Sequence, residues 1–328
     1  MTRLTASFAI IALSGACLAA APAQAQLSRT FVSAATGNDG NNCDRPTPCR
    51  SLQGAHDKTN SDGEITVLDP GGYGGVVITK SISIVNDGVG EASVLVSGGV
   101  NGITVNGGAA AYVNLRGITV QGIGFGGGNG LQFNGGFALT ITNCVFRNLT
   151  GASGGAIGNG IAFSPNVGGT HNLSISDTVV ADNLGFGVVV SPSAAAQAIR
   201  IAVDRVQMVN NGQDGFVAFG TAATGTIDAT ITNSTSANNG RFGFGSVSVD
   251  NAATTSVMVV RSVSANNSTG LSVGSAGTAR MRVGQSTVSG NTLHTWFATG
   301  GVLQSFGDNA IVANADGDPA LPSTIARK

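Results

Sequence analysis

The sequence predicts an all-β fold in which one chain winds into a solenoid of parallel strands behind a short N-terminal capping helix. Three observations predict it. A segment ending in Asn repeats along the second half of the chain, apolar and polar residues alternate within each copy, and Gly occurs 50 times in 328 residues. That is roughly double the usual share of glycine. The glycines do not follow the every-third-residue pattern of collagen, and a hydrophobic content of 42% is too high for a disordered chain.

The repeat is read from SISDTVVADN (174–183), AVDRVQMVNN (202–211), TITNSTSANN (230–239), MVVRSVSANN (258–267) and RVGQSTVSGN (282–291). The closing residues Asn183, Asn211, Asn239, Asn267 and Asn291 are separated by 28, 28, 28 and 24 positions. TITNCVFRN (140–148) is an earlier copy, one residue shorter. A fixed period of this size indicates a solenoid. Ten residues before each Asn stand Leu173, Ile201, Ala229, Val257 and Met281, and eight before stand Ile175, Val203, Ile231, Val259 and Val283. Two apolar columns separated by one variable position describe a strand with one buried face. A second short strand follows each Asn, as in Gly215-Phe216-Val217-Ala218. No helical period intervenes, so equivalent strands stack at about 4.8 Å in parallel register. Stacked Asn amides then donate and accept along the column, and Asn suits a left-handed corner. Glycines fill the other corners. A sandwich of hairpins would need tight turns between antiparallel strands, and a 28-residue spacing is too long for that.

From the N-terminus, Arg3, the apolar run 8–20 and Ala23-Gln24-Ala25 read as a secretory signal peptide over 1–25. Export to the periplasm or outside the cell is therefore expected, with no membrane insertion after cleavage. Cys17 is not expected to be lipidated, because Ser14-Gly15-Ala16 lacks the leucine of lipoprotein signals. Residues 26–64 form the N-terminal strand, a disulfide loop and the capping helix. Cys43 and Cys49 in a Pro-rich segment of an exported chain read as a local disulfide; zinc would need a second Cys or His pair. Thr47-Pro48 supplies an N-cap and a first-turn proline for a helix over 48–59, a lid on the exposed first coil. The coils occupy 65–314, beginning at Ile65, and the tail is 315–328. The Gly-rich stretch from Gly122 to Gly136 reads as a loop. Cys144 reads as a small core residue.

The opening stretch FVSAATGNDGNNC…PCRSLQGAHDKTNSDGEITVLDPGGYGGVVITKSISI (31–84), with the later Asn column, resembles secreted bacterial proteins of the pectin-lyase-like superfamily. The resemblance covers nearly the whole mature chain. It implies a single-stranded right-handed parallel β-helix, a strand and helix ahead of the first coil, and substrate along the outward face of the first strand. It implies no single activity, since this fold carries lyases, hydrolases, epimerases and adhesins.

The chemistry is sparse. The superfamily's lyases cluster Asp residues for calcium, and its hydrolases use close Asp residues with Gly-His-Gly; neither arrangement is present here. His56, His171 and His294 are dispersed, placed in the lid helix, in a loop and beside Trp296. Trp296 reads as filler of the narrowing core. No metal and no cofactor is expected. Lys+Arg of 16 against Asp+Glu of 17 leaves no basic face for nucleic acid. On the first-strand face, Arg200 is expected above Asp228, and Asp177 above Arg205, one coil apart. Asn233, Arg261, Arg280 and Arg282 complete a polar face suited to hydroxyl and carboxylate groups of a glycan. The column Ser174, Ala202, Thr230, Met258, Arg282 supplies no Thr array for ice. The primary expectation is a non-catalytic scaffold that binds polysaccharide or cell-surface partners. The alternative is a polysaccharide lyase or glycoside hydrolase acting on acidic polysaccharide, with Asp204, Asp228 and Arg200 as its candidate catalytic residues.

Overall fold

In Gly225–Thr232 the side chains of Ile227, Ala229 and Ile231 are buried, while Asp228 and Thr230 are exposed. This is the alternation read from the sequence. After Thr232 one left-handed residue, Asn233 at φ 50°, turns the chain into Thr235–Ala237. A second, Asn238 at φ 56°, opens a wider bend toward Phe242–Ser248. One winding is thus three strands, two left-handed corners and a connection of variable length back to the first sheet.

The computed structural model describes residues 27–326 apart from 124–126, 152–156, 195–196, 221–223, 250–251, 276–277 and 323. The signal peptide expected over 1–25 lies outside the described residues. Among those described, the strands form three sheets of eleven, ten and nine strands, and every strand-to-strand pairing that builds them is parallel, as between the first-sheet strands 169–176, 197–204, 225–232 and 254–260. Ser174 pairs with Ala202, Ala202 with Thr230, Thr230 with Met258 and Met258 with Arg282. The fold is the parallel solenoid that the period implied. Its core is a continuous apolar column containing Phe133, Phe146, Phe163, Phe216 and Phe244. Trp296 closes its C-terminal end, packed against it and only partly buried.

The winding starts earlier than Ile65. Leu27–Val32 pairs with Thr59–Val67, which in turn pairs with Ile82–Val85. The helix is Leu52–Lys58, not 48–59, with Ser51 as N-cap accepting the Gly54 amide at 3.0 Å. Thr47 cannot start it because its amide and hydroxyl both bond Asp44, while Cys49 bridges to Val32. Leu52, Ala55 and His56 are the helix's buried face, and the helix packs on the first strands as a lid. Cys43 and Cys49 form the expected disulfide, with their Cα atoms 4.6 Å apart.

The Asn column is a hydrogen-bonded ladder. The Nδ2 of Asn183, Asn211, Asn239, Asn267 and Asn291 each donates to the Oδ1 of the next Asn, at 2.9, 3.0, 2.9, 3.3 and 2.8 Å, and the last acceptor is Asn314. These residues do not make the corner. The left-handed positions are one residue earlier, at Asp182, Asn210, Asn238 and Asn266, so the two residues of each Asn-Asn pair divide the work. The short copy ends at the corner residue Asn148 (φ 58°) and places Leu149 at the ladder position.

The strand-leading glycines also have a different reason than expected. Gly130, Gly160, Gly187, Gly215 and Gly243 have no left-handed φ. A Cβ on Gly187 would meet Gly215 O at 2.6 Å and Asn211 Nδ2 at 2.9 Å, so space against the ladder selects glycine, not backbone conformation. Within the Gly-rich stretch expected as a loop, Leu131–Gly135 is a strand of the third sheet, and residues 124–126 lie outside the described residues. His171 likewise belongs to the strand Gly169–Ser176, buried, with Nδ1 at 2.6 Å from Gly136 O and Nε2 at 3.1 Å from Val167 O. Cys144 is buried, which pushes its thiol up to about 11 and leaves it an inert core residue.

Candidate functional site: the outward face of the first sheet

Strand alternation turns Asn172, Ser174, Arg200, Ala202, Asp228 and Thr230 outward from the first sheet. They line a shallow groove of about 400 Å³ that begins at Ala138 and Thr140. Arg200 and Asp228 are register partners on adjacent strands, yet among the described residues no ion pair joins them. Both remain exposed and available to a ligand.

Asp204 is differently placed. Its Oδ1 accepts Thr232 Oγ1 and Asn233 Nδ2, each at 2.7 Å, and its Oδ2 meets the Arg205 guanidinium. These donors, Asn233 and Thr232 first, hold the Asp204 carboxyl below the usual carboxylate range. A carboxylate with its lone pairs so occupied is a poor base. Asp204 is also in register with Thr232, four residues along the strand from Asp228. At about 3.3 Å per residue that is roughly 13 Å, beyond the ~5–9.5 Å that separates the paired carboxylates of glycosidases. The structure does not bring Asp204 and Asp228 together on one bond.

Along the adjoining corner, Arg205 clamps Asp177 through Nε at 2.6 Å and Nη2 at 2.8 Å. That clamp lowers the Asp177 carboxyl. Asn233 passes the chain on to Arg261, whose Nε donates to Asn233 Oδ1 at 3.0 Å. Asp177, Arg205, Asn233 and Arg261 all have left-handed φ, and their polar heads tie one winding to the next. Arg280 is exposed and in register with Ser256 and Val302, while Arg282 donates to Gln304 Oε1 at 3.2 Å. Among the described residues, no three His, Cys, Asp or Glu side chains converge as a metal site would require.

Two features were missed in the sequence. One is a larger groove, about 660 Å³, at the C-terminal end of the same face. The other is Asp214, fully buried where the chain enters the third sheet. Its Oδ1 accepts the Phe242 amide at 3.2 Å and lies 3.7 Å from Arg241 Nε, while Oδ2 has no partner. Burial pushes this carboxyl up to about 6. Asn129 and Asn159 hold the equivalent place in earlier windings and likewise accept the next amide. By register the column runs Asn129, Asn159, Phe186, Asp214 and Phe242, so a carboxylate set between two Phe was the available signal.

These features define a parallel β-helix with a groove on one sheet face. No protein-family model matches the chain, and no curated protein matches it in sequence. Among solved structures it is similar to a pectate lyase, with a TM-score of 0.56 and 18% identity over 90% of this chain and 80% of that one. A rhamnogalacturonan lyase (TM-score 0.42, 13% identity, 89% of this chain and 88% of that one) is a looser likeness. So is a mannuronan C-5 epimerase A-module from Azotobacter vinelandii (0.38, 14%, 81% and 91%). The first likeness establishes the fold, a single-stranded right-handed parallel β-helix of the pectate-lyase type.

Proposed function

We propose that the outward face of the first sheet, centred on Arg200, binds an extended acidic polysaccharide without cleaving it. The observation that carries this reading is the groove itself. An unpaired guanidinium stands in it among Asn172, Ser174 and Thr230, a set that offers a forked cation for carboxylates and short polar groups for hydroxyls. Strands repeating at about 4.8 Å present these groups to an elongated ligand rather than to a compact one. A solved structure with the same fold is by name a pectate lyase, which is consistent with that ligand class. Binding rather than cleavage is the reading favoured by the wide spacing of Asp204 and Asp228 and by the occupied lone pairs of Asp204. The disulfide fits an oxidising compartment, in keeping with an exported protein that meets such polymers outside the cytoplasm.

Titration calorimetry with polygalacturonate tests the reading. Arg200→Ala is expected to weaken binding at least tenfold, and the wild-type affinity is expected to fall with added salt. Equal affinity in wild type and variant would remove Arg200 from the site. Release of unsaturated uronates by the wild-type protein, abolished in Arg200→Ala, would replace binding with lyase activity.

A further inference from the structure

The first-sheet face changes character as the coils proceed. In the column Asp204, Thr232, Val260, Gly284 two polar residues give way to Val260, and in its neighbour Ala202, Thr230, Met258, Arg282 the polar Thr230 gives way to Met258. These two are apolar lining residues of the groove of about 660 Å³. Phe306 contributes a ring, which Gly284 admits: a Cβ there would meet Phe306 Cδ2 at 2.7 Å. Ile325 and Ala326 supply a further stretch of the groove's wall. That wall is fixed to the solenoid, because Leu321 is buried in the core, Thr324 bridges to Ser305, and the Ile325 amide donates to Ser305 O at 2.8 Å.

Two cations complete the groove. Arg261 and Arg282 line it, and each donates through Nε to an uncharged side-chain amide oxygen, of Asn233 and Gln304. Among the described residues neither forms an ion pair. Asp308, which approaches Gly284, accepts the Gln285 amide at 2.9 Å. A guanidinium has five donors, so both retain Nη groups for an anion.

We propose that this groove is a second binding site, for a small amphiphilic carboxylate whose apolar body rests on Met258, Val260, Phe306 and Ile325 while its carboxylate meets Arg261 and Arg282. Its volume is that of a small-molecule site, and an apolar lining with a few convergent polar groups is the usual composition of one. The site is separate from the Arg200 groove and does not depend on polysaccharide binding there.

The probe is decanoate below its micellar concentration, titrated calorimetrically into the full chain, with decan-1-ol as the uncharged match. Wild type is expected to bind decanoate more tightly than decan-1-ol. The double variant Arg261→Gln/Arg282→Gln is expected to weaken decanoate at least tenfold and leave decan-1-ol unchanged. Met258→Gln, which keeps the side-chain length, is expected to weaken both, and Arg200→Ala to weaken neither. Thermal unfolding of each variant checks that it is folded. Decanoate affinity that is the same in wild type and double variant overturns the proposal. So does sedimentation with phosphatidylglycerol vesicles in the absence of decanoate binding, which would make the groove a membrane contact.

Discussion

Asp214 is the residue whose surroundings depart most from what its type prefers. Its carboxyl is raised from an unfolded value near 3.8 to about 6 by burial, with Arg241 opposing only in part. A raised carboxyl binds its proton more tightly in the folded state. The folded state therefore gains most below pH 4, and the gain is lost as pH rises from 4 through 6. The shift corresponds to about 3 kcal/mol. Urea unfolding from pH 4 to pH 8 should show stability falling across that window and level above it, apart from other groups. In Asp214→Asn, which matches the Asn129 and Asn159 positions, the slope should shrink and stability at pH 7.5 should rise by about 1–3 kcal/mol. An unchanged slope would mean that Asp214 does not titrate there.

At the scale of the element, the corner and the ladder are separable. Asn239 exchanges amide bonds with Asn211 and Asn267 and also donates to Met208 O and Ser236 Oγ. Asn239→Leu would leave several buried groups unpaired and should cost about 2–4 kcal/mol in chemical unfolding. Asn238 contributes a left-handed backbone instead. Asn238→Val should therefore cost about 1–2 kcal/mol, and Asn238→Gly should cost little. Equal losses for Asn239→Leu and Asn239→Gln would argue against stacked amides as the source. A parallel ladder of hydroxyls supports the other corner: the Val206, Ser234 and Ser262 amides donate to Ser234, Ser262 and Ser286 Oγ. Each buried hydroxyl in turn donates to the carbonyl two residues back. This second ladder accounts for Thr178, Ser234, Ser262 and Ser286, which follow the corner residues Asp177, Asn233, Arg261 and Gln285.

For the whole molecule, windings contact mainly their neighbours, so the ends carry the risk of open edges. Deleting residues 27–58 removes Leu27–Val32 and the helix and exposes the edge of Thr59–Val67. Sedimentation of that variant should show self-association, where the intact chain does not associate through this edge. A monomeric deletion variant would show that the lid is not needed to protect it. The two grooves follow from the same linear construction: neighbouring stretches of one sheet face, polar around Arg200 and apolar around Met258, lie in successive windings.

The period of 28, the buried columns and the Asn stack were legible because a solenoid converts sequence spacing directly into contact. Residues one winding apart become strand neighbours, and each column is then selected for what its neighbours need. The helix start was misplaced because Asp44 takes up the Thr47 donors, a contact that propensity does not reveal. The sequence could name Arg200, Asp204 and Asp228 as outward, but their functional standing depended on partners. Folding occupies Asp204 with Thr232, Asn233 and Arg205 and leaves Arg200 open. The groove over Met258 and the unpartnered oxygen of Asp214 were decided by tertiary structure alone. The groove depends on how the tail returns over the sheet and the carboxyl on what packs around it, and those distances have no period in the chain.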